Sequence, residues 1–154
     1  MFLKKYRIFA VLALCLILSC TGCSKDLILD GYNNLLHFTS QFALTPKKNL
    51  QGEKTEGSDT YTGSYTANYE NFSGTEYLFG GTGLIREKGN DLTVTYKLTA
   101  DSGSVRLYQT RGTDEQLIAD TSASDTYILS LTSQDNYIAI ECDDFCGSLQ
   151  ISIK

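Results

Sequence analysis

Side chains suited to acid–base or nucleophilic chemistry are few in this 154-residue chain, and their spacing is poor for it. His37 is the one histidine, so a nucleophile–base–orienter set lacks its usual base. Glu70 and Glu76 come nearest to a glycosidase pair, but carboxylates at such a spacing arise by chance in acidic chains. Phe79-Gly80-Gly81-Thr82-Gly83 has the glycines of a phosphate loop without its lysine or its helix, and reads as a bulge or tight turn. Glu141, Asp143 and Asp144, and separately Asn90 and Asp91, offer oxygens for a structural calcium ion, which takes about six to eight. Short Asp/Asn turns also form without any ion. The chain is therefore expected to be no enzyme and to need no cofactor.

The thiols are more specific. Cys142 and Cys146 bracket Asp143-Asp144-Phe145, which reads as a three-residue hairpin loop. Residues facing each other across the first rung of a hairpin have Cα atoms about 4.5–5.5 Å apart, within reach of a disulfide. Such a short loop gains only about 2 kcal/mol from the bond. Two free thiols are the alternative; a metal role would want a second pair of thiols or histidines, which the chain does not offer.

Three further cysteines, at 15, 20 and 23, lie at the N-terminal end. Lys4, Lys5 and Arg7 form a basic start, and residues 8–18 form an unbroken apolar run. That run is long enough for a signal sequence and short of the roughly 20 residues a spanning helix needs. LILSCTGCSK at 16–25 then resembles the lipobox of bacterial lipoproteins. The resemblance implies lipid transfer to a thiol and cleavage before it, at Cys23 because Gly22 precedes it, with Cys20 as the alternative. It also implies residues 1–22 as a cleaved signal peptide and residues 23–44 as lipidated N-terminus, tether and short helix. The domain proper would be 45–154, held outside the cytoplasm by a lipid in the cell membrane. YTGSYTANYENFSGTEYLFGGTGL and the closing NYIAIECDDFCGSLQISIK are similar to small lipoproteins of low-GC Gram-positive bacteria, a likeness that implies an outward-facing β domain and no activity.

Cleavage would remove three of the 13 basic residues and none of the 18 acidic ones, taking the net charge from −5 to −8. Nucleic acid and anionic lipid are excluded as electrostatic partners at that charge. Membrane attachment then rests on the lipid, whose two chains suffice where one would be marginal.

The remaining chemistry is aromatic. Tyr61, Tyr65, Tyr69 and Tyr77, with Phe72 and Phe79 between and after them, crowd into residues 61–79. Packed rings with hydroxyls at the rim are the simpler reading. Exposed, the same tyrosines would form a platform on which pyranose C–H faces stack.

The elements that must position them are strands. Tyr61, Gly63, Tyr65, Ala67 and Tyr69 alternate with Thr62, Ser64, Thr66 and Asn68, and residues 92–99 repeat the pattern. Further strands are expected at 105–109, 116–119, 127–131, 137–141 and 149–153. Turn chemistry divides them at Gly89-Asn90-Asp91, Asp101-Ser102-Gly103, Arg111-Gly112-Thr113-Asp114 and Ser133-Gln134-Asp135-Asn136. Pro46 ends the short helix, and 47–59 is loop or edge strand. The expected fold is an all-β antiparallel sandwich or jelly roll of two sheets and about eight strands. Its expected core is Tyr65, Leu78, Leu92, Val94, Leu98, Val105, Leu107, Leu129, Leu131, Ile138, Ile140, Leu149 and Ile151. A non-catalytic binding or interaction module for a glycan or envelope protein follows as the first function, an accessory envelope subunit as the second, and a hydrolase as the third.

Overall fold

The computed structural model describes residues 44–82, 86 and 88–154, all within the compact unit Leu36–Lys154. The signal, the lipidation cysteines Cys20 and Cys23, His37 and the short helix lie outside the described residues. After Pro46 a single 3-10 turn, Lys47–Asn49, leads into six strands: β1 (Glu53–Glu56), β2 (Gly63–Thr82), β3 (Asp91–Arg111), β4 (Asp114–Ala119), β5 (Ala123–Ser130) and β6 (Asp135–Ile153). All pairings are antiparallel, in the order β1-β2-β6-β3-β4, with β5 also on β3.

Three of these strands are 19 to 21 residues long, far above the usual five or six, because each serves both layers of the fold. One layer comprises β1, residues 63–69 of β2, 147–153 of β6, 91–98 of β3, and β5. The other comprises residues 74–82 of β2, 135–142 of β6, 104–111 of β3, and β4. Between the halves the register slips at 69–74 in β2 and 100–104 in β3. Asn71 and Gly74 on β2, Gly103 on β3 and Asp144 on β6 take positive φ there, so the sheet bends along one line. A Cβ at Gly103 would lie 2.2 Å from the Asp144 carbonyl oxygen, which is why the crossing needs glycine.

Two expected turns are thereby corrected. Asp101-Ser102-Gly103 is a bend inside β3, and Asp143-Asp144-Phe145 is a bend inside β6, so no hairpin joins Cys142 to Cys146. Arg111-Gly112-Thr113-Asp114 is a true hairpin, with Gly112 at φ 60°. Six strands replace about eight because the bends carry the chain onward where turns would have reversed it.

All thirteen expected core residues are buried, in one cluster fed by both layers. Tyr61, Leu92 and Leu129 meet Gln109, Asn136 and Ile138 around one small cavity, so the layers face each other across a shared interior. Among the described residues no helix is long and apolar enough to cross a membrane.

Candidate functional site

Strand β2 decides which aromatic rings meet solvent. In its first half the odd positions Tyr65, Ala67 and Tyr69 point inward and Ser64, Thr66 and Asn68 outward. The register slips between Tyr69 and Gly74 then reverse the phase, so that Glu76 and Leu78 point inward and Tyr77 lies on the other face. Tyr61, Tyr65 and Tyr69 are at most 2% exposed. They are core residues, and none of the three turns its ring to solvent as a platform would require. Burial overrides it because the only apolar face of this segment is the one turned to the second layer.

Their hydroxyls are satisfied inside. Tyr61 donates to the Thr82 carbonyl at 2.7 Å. Tyr65 and Tyr69 donate to Oε2 of Glu76 at 2.8 and 2.7 Å, and the Gln51 backbone N–H donates to Oε1 at 2.6 Å. Glu76 is itself 1% exposed. Burial, more than the neighbouring groups, pushes the hydroxyls of Tyr61 and Tyr65 up, and Tyr69 further. Glu70 is exposed and Glu76 enclosed, so the two do not share a cleft.

Tyr77 meets different company. Across the second layer it lies in register with Ala139, Tyr108 and Leu117 in turn. Tyr137, one rank away on β6, sets its ring edge-on to Tyr77 at 6.0 Å and 84°. Tyr108 lies beneath at 4% exposure, while Leu117 stands 49% exposed. The Arg106 guanidinium sits 5.2 Å from the Tyr108 ring. It donates to Glu141 at 2.8 Å and to Glu115 at 3.1 Å. Burial and the facing Tyr77 hydroxyl push the Tyr108 hydroxyl up. The result is a partly buried aromatic patch with a held cation and two carboxylates at its border. Of its aromatic members the sequence singled out only Tyr77; Tyr108 and Tyr137, with Arg106, join it through strand register.

The outer face of the first layer is unlike this. Thr55, Ser64, Ser152, Thr95 and Thr126 align across five strands there, without an aromatic ring. The other candidates are accounted for locally. Cys142 and Cys146 are free thiols. Cys142 is buried between Gly74 and Val105, and that burial pushes its thiol up to about 12. The Cys146 thiol donates to Asn71 Oδ1 at 3.3 Å. Glu141 is engaged by Arg106, and Asp143 accepts from Ser73. Among the described residues no three metal-binding side chains converge. Gly80 takes φ 139° beside the slip at Tyr77–Phe79, where a Cβ would lie 2.2 Å from the Asn136 carbonyl oxygen; this is the bulge expected of the glycine run.

Fold and surface together define a two-layered all-β domain with one solvent-facing aromatic patch. No protein-family model matches the chain, and no curated protein matches it. Among solved structures it is similar to a protein of Bacillus endospore appendages, described as a family of disulfide-linked pili. That pair shares 13% identity over 68% of this chain and 90% of the other, with a TM-score of 0.36. It is also similar to a family 29 carbohydrate-binding module, at 15% identity over 68% and 70% of the two chains and a TM-score of 0.35. A family 16 carbohydrate-binding module follows at 8% identity, 71% and 89% coverage and a TM-score of 0.37. The fold described above rests on this chain's own strand pairing.

Proposed function

We propose that this chain is a lipid-anchored, extracytoplasmic protein whose β domain binds glycan without catalysis, through the outer face of the second layer. The observation that carries the binding site is the outward pair Tyr77 and Tyr137, bordered by Arg106 with Glu141 and Glu115. A pyranose ring stacks its C–H face on tyrosine, and its hydroxyls take hydrogen bonds from a guanidinium and give them to carboxylates. The rigid strands hold these groups in place before a ligand arrives, which lowers the ordering cost of binding.

Probing a glycan array with the full-length protein tests the site. Tyr77→Ala and Tyr137→Ala are each expected to weaken retention roughly five- to tenfold, the worth of one aromatic stacking contact, with the thermal melt little changed. Absence of any retained glycan, or retention by both variants equal to that of the wild type, would sink the proposal.

The anchor rests on Lys4, Lys5, Arg7, the apolar run and LILSCTGCSK. Metabolic labelling with a radioactive fatty acid is expected to mark the wild type and Cys20→Ala and to miss Cys23→Ala. Label surviving in Cys23→Ala but lost in Cys20→Ala would move the site to Cys20.

A further inference from the structure

A sheet with open sides must guard its edges, because unpaired N–H and C=O groups invite another strand. Three edges of this fold are guarded. β1 is four residues long and carries Glu53, Lys54 and Glu56. β4 is six residues long, starts with Asp114 and Glu115, and pairs through a register slip. The second half of β2 is covered at Tyr77, whose carbonyl accepts from the Thr45 N–H and whose N–H donates to the Thr45 hydroxyl.

Among the described residues the fourth edge, β5, is guarded only at Asp125, whose carboxylate accepts from the Thr126 N–H. Its eight residues pair with β3 without a slip, and they hold no proline, lysine or arginine. Thr93 exchanges both backbone hydrogen bonds with Lys154, on the side of β3 away from β5. Thr93 and Thr95 therefore turn their backbone groups from β5, and their partners Ile128 and Thr126 turn theirs outward. The Thr126 N–H agrees, bonding only sideways to the Asp125 carboxylate. By the same alternation Ser124, Thr126, Ile128 and Ser130 form the open edge, all uncharged. Ile128 is 62% exposed, the most exposed large apolar side chain among the described residues.

We infer that β5 is a self-pairing edge, joining two copies of this chain antiparallel about a two-fold axis at Ile128. At that register Ile128 exchanges both backbone hydrogen bonds with Ile128 of the second copy, and the two side chains meet on one face. Thr126 lies opposite Ser130 in both directions. A second copy fits this edge, because antiparallel self-pairing about a two-fold axis sets its one outward-facing large apolar side chain, Ile128, against its own symmetry mate. Chain charge points the same way: two copies that both carry net negative charge, before or after cleavage, approach best where the contact row carries no charge. The first layers of the two copies then form one continuous ten-stranded sheet, and the aromatic patch on the second layer stays open.

Sedimentation equilibrium of the full-length protein in density-matched detergent tests the inference. The wild type is expected to dimerise, and Ile128→Asp and Ile128→Lys, which place like charges on the axis, are expected to weaken association at least roughly tenfold. Both variants should keep the wild-type thermal melt, since Ile128 is exposed in the single chain. Ile128→Val should dimerise as the wild type does. A wild type that stays monomeric, variants that dimerise unchanged, or a dimer lost on Leu117→Asp and kept in Ile128→Asp would each overturn it.

Discussion

Glu76→Ala is expected to lower the stability of the domain by about 4 kcal/mol, a loss at the extreme of single substitutions. The carboxyl group receives three donors in the interior: the hydroxyls of Tyr65 and Tyr69 and the N–H of Gln51. Each donor stripped of its acceptor while buried costs about 1–3 kcal/mol, and the vacated volume adds to that. Tyr65 and Tyr69 stand 3.4 Å apart and recover part of the loss by bonding to each other. Glu76→Gln keeps one acceptor oxygen and is expected to lose about half as much. Urea unfolding followed by circular dichroism measures both; midpoints equal to the wild type would show that Glu76 is not the acceptor the core depends on. The damage should be local first. Gln51 and Thr45 tie the segment before β1 to the second half of β2, so faster amide exchange is expected from 45 to 52 in Glu76→Gln.

This cluster also marks where the sequence could and could not be read. Alternation by two identified the strands, and every expected core residue is buried, because burial of one face is a local property of the pattern. The phase of that alternation is not local. Tyr61, Tyr65, Tyr69 and Tyr77 are all odd-numbered and look like one stripe, but the slips at 69–74 leave three inside and send Tyr77 out. Those slips depend on partner strands: Phe72 faces Phe145, and Gly74 faces Cys142. Likewise Asp101-Ser102-Gly103 offers the positive φ that both a reversing turn and a bend require, and only the continuing pairing with β6 chooses the bend. Cys142 and Cys146 look like a hairpin pair for the same reason, and only the pairing of β6 with β2 and β3 carries the strand onward between them. The aromatic patch was legible in one residue of three because Tyr108 and Tyr137 come from strands whose register no single strand contains.

Shielded tyrosine hydroxyls, in the core and beneath the aromatic patch, give the second large effect, a cooperative collapse in alkali. Burial holds the hydroxyls of Tyr61, Tyr65, Tyr69, Tyr108 and Tyr127 above their ordinary value of 10.0 in the folded state. A group whose folded pKa is raised contributes its full stability below the unfolded value and loses it as pH climbs beyond. Cys142 behaves alike between its ordinary 9.0 and about 12. Above pH 10 each such group costs about 1.4 kcal/mol per pH unit, since the unfolded chain gives up a proton that the folded chain keeps. Five tyrosines then remove on the order of 5 kcal/mol between pH 10 and 11, comparable to the whole stability of a small domain. Near-ultraviolet tyrosinate absorbance and far-ultraviolet circular dichroism are therefore expected to change together in one narrow transition near pH 11. Tyr127→Phe supplies the control, because the Tyr127 hydroxyl is buried and has no hydrogen-bond partner among the described residues. Removing it takes away one titrating group and no hydrogen bond, so the transition should move upward. Tyrosinate appearing gradually around pH 10 over an intact far-ultraviolet spectrum would instead mean that these rings reach water, and the two-layered core would have to be redrawn around them.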